Sequence, residues 1–435
     1  MSESTSSRRQ FLARSIGAFA AAGCPAIIPA SALGQGGTVP PSNKITIGCI
    51  GVGGMGTGNM KNFLALQGCR VVAVCDTYEE KRQKAKGLVD KAYGDSSCAT
   101  YGDFRELLAR KDIDAVMIAA QDHWHSLIAT AAAAAGKDMY CEKPMGVCVA
   151  DGQRIRDAVR QHKRVFQAGT WQRSKGPFRH ACELALNGYV GKIHTVEVSA
   201  PGPQYQPKYD GPLDPQPVPA GFDWEMWRGP APSKPFNAGR VAWPDWYLIW
   251  DYCAGFICNW GVHHLDIAHW GCPRLGTDPF EVECKGTYRK KGLTDNIEGW
   301  NATFSFADGF KMIFTDQNQL KTGTKFIGDK GWVHVDRSGI WAEPESLLKV
   351  TIKDGETRLH ASDQHQDDFL TAVRSRKDPA SNVDATHVAT YLGLVAETSA
   401  RLERKLKWDP KTENFPGDDE ANKTLVRPMH NGWRI

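Results

Sequence analysis

Residues 45–56 read ITIGCIGVGGMG, an apolar run that enters a glycine-rich turn. Gly51, Gly53 and Gly56 fall in a Gly-x-Gly-x-x-Gly spacing, with Gly54 and Met55 between them. In such a turn the first glycine makes the tight bend and the second lets the backbone approach a pyrophosphate. The third lets the following helix pack on the strand, so that its N-terminus faces the phosphate charge. The triplet alone is a weak signal. Asp76 strengthens it by ending the next apolar run, twenty residues after Gly56, where a carboxylate accepts hydrogen bonds from an adenine ribose. A carboxylate there repels a 2′-phosphate, so NAD is expected over NADP. Lys81 and Arg82 nearby keep NADP open, and a helix-capping role is the structural alternative for Asp76.

The elements that must carry this turn follow from the apolar pattern. Residues 45–50, 70–75, 115–119, 139–141 and 165–167 read as short strands, and 57–67, 78–92, 103–110, 125–136 and 150–162 as helices, with Gly136 placed to cap one of them. Such alternation predicts a parallel sheet with helices on both faces. The texture changes after about residue 172. A helix over 178–187 leads into a strand over 193–199, and residues 201–250 then hold eleven of the 24 prolines and five of the fourteen tryptophans. That stretch is too rigid and aromatic for a disordered linker and is expected as an ordered loop packed on the second domain. Residues 281–350 return to short runs with turn signals at Asp308-Gly309 and Lys330-Gly331, which predicts a mixed or antiparallel sheet; helices near 364–376 and 385–405 close the chain.

A chain of 435 residues is too long for one ordinary core and suits two domains. A net charge of +4 with no basic stripe gives no sign of a nucleic-acid partner. The N-terminus stands apart. Residues 6–12 read SSRRQFL, followed by an apolar run from Ile16 to Ile28 and the small-residue site Ala30-Ser31-Ala32. Residues 1–32 therefore read as a twin-arginine signal peptide and 33–43 as a linker, which implies the twin-arginine export machinery as a partner and a periplasmic or otherwise exported protein. Cys24 offers a weaker lipoprotein alternative, and no other apolar stretch is long enough to span a membrane. The twelve cysteines do not form a disulfide framework; Cys49, Cys75 and Cys141 sit on apolar runs, where a thiol acts as a small hydrophobe. Export also separates an enzyme from the cytoplasmic cofactor pool, so its NAD is expected to be tightly bound.

Further motifs carry a resemblance. Glu142-Lys143-Pro144, Asp122-His123-Trp124-His125, GFICNWGVHHLD at 255–266, WEMWRGPAP at 224–232 and the tail from 404 to 429 resemble the glucose–fructose oxidoreductase, inositol dehydrogenase and rhizopine-catabolism (Gfo/Idh/MocA) family, in an exported branch. The resemblance covers essentially the whole chain after the leader. It implies an α/β fold: a Rossmann dinucleotide-binding domain, 44–172, joined to a C-terminal α/β domain, 173–435, whose large open sheet serves substrate binding and oligomerisation as a dimer or tetramer. The implied chemistry is hydride transfer at a sugar, cyclitol or glycoside hydroxyl. Gln121, His123, Trp124, His125, Glu142, Lys143 and Pro144 are then expected along the cofactor, with Lys143 as the catalytic lysine and Pro144 open to a cis bond. For His125 a capping role is an equal alternative. The family's second element has Asp, then His four residues later, then Asp three beyond; here these are Asn259, His263 and Asp266. His263 fits a general base. Asn259 departs from the pattern, because an amide holds a hydroxyl but accepts no proton.

His264 is a second imidazole beside the base, and Trp171 and Arg173, after the last strand of the first domain, are candidates to touch a polar substrate; for Arg173 a salt bridge is a close alternative. Trp224, Trp227, Trp243, Trp246, Trp250 and Trp260 are expected mostly as packing, with one or two against the C–H face of a sugar. His263, Asp266 and His269 drift round a helix at a three-residue spacing, so no metal site is expected from them. Three functions follow: an NAD(P)-dependent oxidoreductase on a carbohydrate CH–OH; a redox-neutral NAD-dependent glycosidase or lyase using transient oxidation; and a sugar-binding protein with a disabled site, the last motivated only by Asn259.

Overall fold

The computed structural model describes residues 40–202, 213–289 and 292–435. The signal segment 1–32 with Cys24, linker residues 33–39 and residues 203–212 of the proline-rich stretch lie outside them. Among the described residues no helix is long and apolar enough to cross a membrane.

The first sheet holds β1 (Ile45–Ile50), β2 (Cys69–Cys75), β3 (Ala99–Tyr101), β4 (Ala115–Ile118), β5 (Asp138–Cys141) and β6 (Phe166–Ala168), in the order β3-β2-β1-β4-β5-β6 and all parallel. Helices α1 (Gly54–Leu64), α2 (Glu79–Tyr93), α3 (Phe104–Leu108), α4 (His125–Ala134) and α5 (Val149–Gln161) connect these strands. β4 and β5 are buried throughout, as the apolar runs require of strands covered on both faces. β3 is absent from the sequence reading because three half-buried residues give no apolar run. Gly136 ends α4 at φ 76°, a left-handed conformation that costs glycine nothing.

The second half begins with α6 (Gly176–Leu186), β7 (Ile193–Ala200), α7 (Trp224–Arg228), α8 (Gly255–Asn259) and α9 (Gly261–Gly271). β8 (Phe280–Tyr288), β9 (Ile297–Phe306), β10 (Lys311–Asp316), β11 (Gly323–Gly328), β12 (Gly331–Asp336) and β13 (Gly339–Glu343) follow, then α10 (His365–Ser375), α11 (Val383–Arg401) and β14 (Leu406–Trp408). The eight-stranded sheet runs β13-β12-β11-β7-β10-β9-β8-β14 and is antiparallel except for β7–β10. Its strands alternate in burial, with Val196 and Val198, Phe304 and Phe306, and Met312 and Phe314 turned into one core. α9 lies close on that face because two of its glycines leave room: a Cβ on Gly261 would sit 2.6 Å from the Phe314 ring, and one on Gly271 2.4 Å from Phe326. The whole element that carries His263 is set by this close approach.

Two placements differ from the sequence reading. Phe369 and Leu370 of α10 join the core of the first sheet, where Phe369 meets Phe63 and Tyr140 at 6.1 and 6.2 Å between ring centres. The described part of the proline- and tryptophan-rich stretch is an ordered loop, but it docks on the dinucleotide domain as well as on the second. Phe222 stacks on Tyr78 at 3.8 Å, Glu79 N–H donates to Gly221 O, and Trp124 Nε1–H donates to Trp227 O at 2.9 Å. Trp224 and Trp227 are buried there with Phe236 and Tyr252, Trp224 as a packing residue and Trp227 also lining a cleft described below.

Arg173 is corrected from a substrate contact to a structural cation. Its Nε and one terminal nitrogen donate to the two carboxylate oxygens of Asp266, both at 2.7 Å, and the other terminal nitrogen faces Ala380 O. Arg173 and Asp266 are 5% and 0% exposed, so neither charge reaches solvent. This bidentate pair ties the segment after β6 to α9. Truncating one member of a buried pair strands the other charge, which typically costs about 3–5 kcal/mol. Arg173→Met is therefore expected to lower the unfolding free energy by about that amount in urea titrations; a loss below about 1 kcal/mol would show that the pair does not hold the junction.

Candidate active site

The glycine turn performs three distinct tasks. Gly51 is at φ 79°, and a Cβ on it would meet Ala119 O at 2.5 Å. A Cβ on Gly56 would sit 1.9 Å from Gly51 O, so the third glycine is required for α1 to pack on the turn. Gly53 and Gly54 face open space, with nothing within 4 Å of a Cβ. The open positions are those at which a pyrophosphate would approach the N-terminus of an eleven-residue helix. Met55, 59% exposed, lies on the outside of that first turn. Asp76 follows β2; its Oδ2 accepts from Val52 N–H at 2.9 Å and its Oδ1 from Tyr78 N–H at 3.0 Å. Gly51, Gly53, Asp76, Lys81, Gln121 and Trp124 line one cleft of about 550 Å³, open to solvent and closed on one side by Met226 and Trp227. Helix N-terminus, open glycines and ribose carboxylate thus fit a nicotinamide dinucleotide. Lys81 is drawn over the Tyr78 ring at 4.0 Å, and Arg82 donates to Asp76 O at 2.6 Å.

Lys143 is positioned by the ends of β4 and β5. His125 is buried, with Nδ1 2.6 Å from Pro144 O and Nε2 3.0 Å from Ala120 O, so its ring ties the two loops together rather than facing a ligand. The Lys143–Pro144 peptide is cis. Glu142 Oε1 accepts from Asn59 Nδ2–H of α1 at 2.8 Å, and Gly169 leaves the space its carboxylate fills. From this frame the Lys143 ammonium donates to Asn259 Oδ1 at 2.6 Å, joining the first domain to the end of α8.

The Asn259 amide donates to both oxygens of Asp122, at 3.1 and 2.9 Å, and Cys253 Sγ–H donates to Asp122 Oδ2 at 3.0 Å. Tyr247 hydrogen-bonds Asn259, and its ring centre is 5.9 Å from the Lys143 nitrogen. Burial, then the Asp122 charge, push the Tyr247 phenol well above its usual range, which keeps it neutral. Asp122 and Tyr247 are the site residues missed from sequence. Asp122 lies inside the motif Asp122–His125 but between more conspicuous neighbours, and Tyr247 sits among tryptophans with no distinguishing pattern.

His263, on α9, is 5% exposed, and its Nδ1 has no protein hydrogen-bond partner. Burial first, then the charges of Lys143 and Arg337, hold it well below the usual imidazole range, so it is a neutral base at pH 7. Lys143, Asn259 and His263 are thus brought together. Two other candidates are not. His264 is buried against Phe178 and held at about 3 by burial and by Arg337, while its own carbonyl accepts from Thr324. His123 is corrected away from the cofactor: its ring nitrogens face Tyr252 O and Trp227 O, and it lines a different pocket with Asp151 and Arg427. Trp171 is half-buried, and the Arg337 guanidinium lies 4.7 Å from its ring and 4.8 Å from that of Trp260. Among the described residues no three His, Cys, Asp or Glu side chains are grouped to hold a metal ion, and Asp266 is committed to Arg173.

Residues 45–170 match the NAD-binding Rossmann-fold model of the Gfo/Idh/MocA oxidoreductase family, and residues 179–435 match a C-terminal alpha/beta domain of the same family. The chain belongs to the Gfo/Idh/MocA oxidoreductase family. It is 29% identical over 381 residues to a myo-inositol 2-dehydrogenase of Thermotoga maritima, covering 83% of this chain and 98% of that one. A shorter match, 36% over 115 residues, is to a glycosyl hydrolase family 109 protein of Shewanella sp. (strain ANA-3) and spans 25% of its length. Among solved structures, a myo-inositol 2-dehydrogenase of Lactobacillus plantarum superposes with a TM-score of 0.59 at 18% identity, covering 83% of this chain and 99% of that one. A scyllo-inositol dehydrogenase of Lactobacillus casei with bound NAD(H) and scyllo-inositol gives 0.57 at 18%, over 84% of this chain and 99% of that one. These two likenesses support the fold.

Two predictions follow from the geometry. Gly56→Ala is expected to cost about 3 kcal/mol or more, since its methyl meets backbone that has nowhere to move. Gly53→Ala is expected to stay within about 1 kcal/mol of wild type yet weaken dinucleotide binding; thermal melting and nucleotide titration separate the two effects, and equal behaviour of both variants would contradict the assigned tasks. The second concerns acid. Burial holds His123 and His365 at about 4, and His264 and His269 at about 3. The unfolded imidazoles take up protons below about 6.5 while the folded ones stay neutral. Stability is therefore full above that pH and falls as pH drops toward 4, by up to about 1.4 kcal/mol per pH unit for each histidine. Urea midpoints that stay constant between pH 7.5 and 5 would refute this.

Proposed function

We propose that the chain oxidises a secondary hydroxyl of a cyclitol or sugar, with NAD rather than NADP as a tightly held cofactor. The observation that carries this reading is the placement of the Lys143 ammonium beside Asn259, with a neutral, buried His263 acting under its field. When bound, the nicotinamide supplies the acceptor for the hydride that leaves the carbinol carbon. His263 takes the hydroxyl proton, for which its unprotonated state suits it. Lys143 keeps N–H bonds beyond the one given to Asn259, and these hold the substrate oxygen and favour it as negative charge develops there. The near-full-length likeness to a myo-inositol 2-dehydrogenase supports a polyol substrate.

We further read Arg8-Arg9 and the apolar run after them as an export leader, and the protein as a periplasmic homo-oligomer. An exported enzyme has to keep its cofactor and reoxidise it in place. Protein purified without added nicotinamide, then denatured, is accordingly expected to release about one NAD per chain, with little NADP. Screening myo-inositol, scyllo-inositol and common hexoses should reveal a polyol that raises absorbance at 340 nm. Lys143→Met is expected to retain the nucleotide and to lower that rate by about 10²–10⁴. Undiminished reduction by this variant would remove Lys143 from the chemistry. Glycoside cleavage without added cofactor would move the assignment to the redox-neutral reaction.

A further inference from the structure

The family pattern places a carboxylate at position 259, against the lysine, and this chain has an amide there. A buried ammonium still needs compensating charge, since its desolvation is costly. Lys143 is 7% exposed, and among the described residues its side chain has one hydrogen-bond partner, Asn259 Oδ1. The other end of that amide faces the carboxylate of Asp122, itself 2% exposed, at 2.9 and 3.1 Å. The donors and acceptors leave one arrangement. Only the NH₂ of Asn259 satisfies a carboxylate, and only its carbonyl oxygen accepts from an ammonium, so the amide is oriented from both sides.

We propose that Asp122 is the charge partner of Lys143, acting through the Asn259 amide, and is therefore a positioning residue for the reactive lysine. The negative charge here sits at position 122 rather than at position 259, and the amide is what links it to the lysine. An aspartate at 259 would put a second carboxylate about 3 Å from Asp122 in a buried site, where like charges do not both ionise. The amide passes the pull of one charge to the lysine. It also keeps the carboxylate off the ammonium, so that the lysine's remaining N–H bonds stay directed by a neutral oxygen rather than collapsed into an ion pair. Cys253, donating to the same carboxylate, holds Asp122 in place, and burial and that charge keep its thiol well above the usual range.

This inference rests on Lys143 being the working lysine, but its test needs no substrate. Purified protein is pulse-labelled with acetic anhydride over a range of pH, and acetylation of Lys143 is read by peptide mass spectrometry against the exposed lysines as internal standards. Asp122→Asn is isosteric and removes the charge. It is expected to shift the labelling midpoint of Lys143 to lower pH, giving about tenfold more label at a fixed pH on the rising limb, with an unchanged plateau at high pH. The plateau reports access, so mere loosening of the site would raise it instead. Asp122→Asn/Asn259→Asp, which returns the carboxylate to position 259, is expected to restore the wild-type midpoint. Asn259→Asp alone is expected to melt lower than the double variant. A midpoint within twofold of wild type in Asp122→Asn, or a double variant no better than either single one, would reduce Asp122 to a structural staple and overturn the proposal. Failure of Asp122→Asn to fold while the double variant folds would support the exchange; failure of both to fold would overturn it. An enzyme inactive on every polyol would leave these readouts intact, so the two readings fail separately.

Discussion

A buried ammonium is the constraint that organises this molecule. Lys143 extends from the end of a strand in one sheet, and its partner Asn259 ends a helix that belongs to the other. A hydrogen bond to a charged group at this distance needs a short, well-aligned donor and acceptor, so the two halves have to be held in a fixed relation. Three devices do this. α10 leaves the second half and completes the core of the first sheet through Phe369 and Leu370. The Arg173–Asp266 pair ties the exit of β6 to α9, three residues along that helix from His263. The loop containing Phe222 and Trp227 bridges the dinucleotide domain and the element that carries Tyr247. Each is buried and each joins segments far apart in sequence, so the site is held by long-range packing.

That distinction separates what was legible in the sequence from what was not. β1, β2, β4 and β5, with the helices between them, could be read within a residue or two at most ends, because strands buried on both faces must be apolar throughout and helices must show their own period. The glycine triplet was legible down to the task of each glycine, since a turn of that shape punishes a Cβ locally. Arg173 was not, because its partner lies 93 residues away and nothing local records it. α10 is amphipathic in sequence, but an apolar stripe does not say which of two sheets it will cover. His123 and His125 sit in one short motif expected along the cofactor, with capping an equal alternative for His125; the structure sets a carbonyl oxygen against each ring nitrogen of both, which the local sequence does not record. Asp122 was passed over for the opposite reason. A lone carboxylate beside two imidazoles looks like a helix start until Asn259 is seen to need it.

The wall of the dinucleotide cleft bears on how a nucleotide would leave it. Met226 and Trp227 line the cleft opposite the glycine turn, and they come from the second half of the chain. The segment that carries them is pinned at several points. Asp223 N–H donates to Thr77 O, Asp223 accepts from Met226 N–H, and Asn431 near the C-terminus donates to Gly229 O and Ala231 O. Gly229 adopts φ 50° with its α-hydrogen side against Trp124, where a Cβ would meet the indole at 2.1 Å. Trp124 is therefore wedged between the loop and the parallel sheet and bonded to Trp227 O. Widening the cleft on this side means breaking that hydrogen bond and unstacking Phe222 from Tyr78, both of them partly or wholly desolvated. Displacing this wall is coupled to the packing of a tryptophan-rich segment, while the other side of the cleft stays open to solvent. Such a displacement is rarer and slower than side-chain motion, because it breaks packing that extends well beyond the cleft.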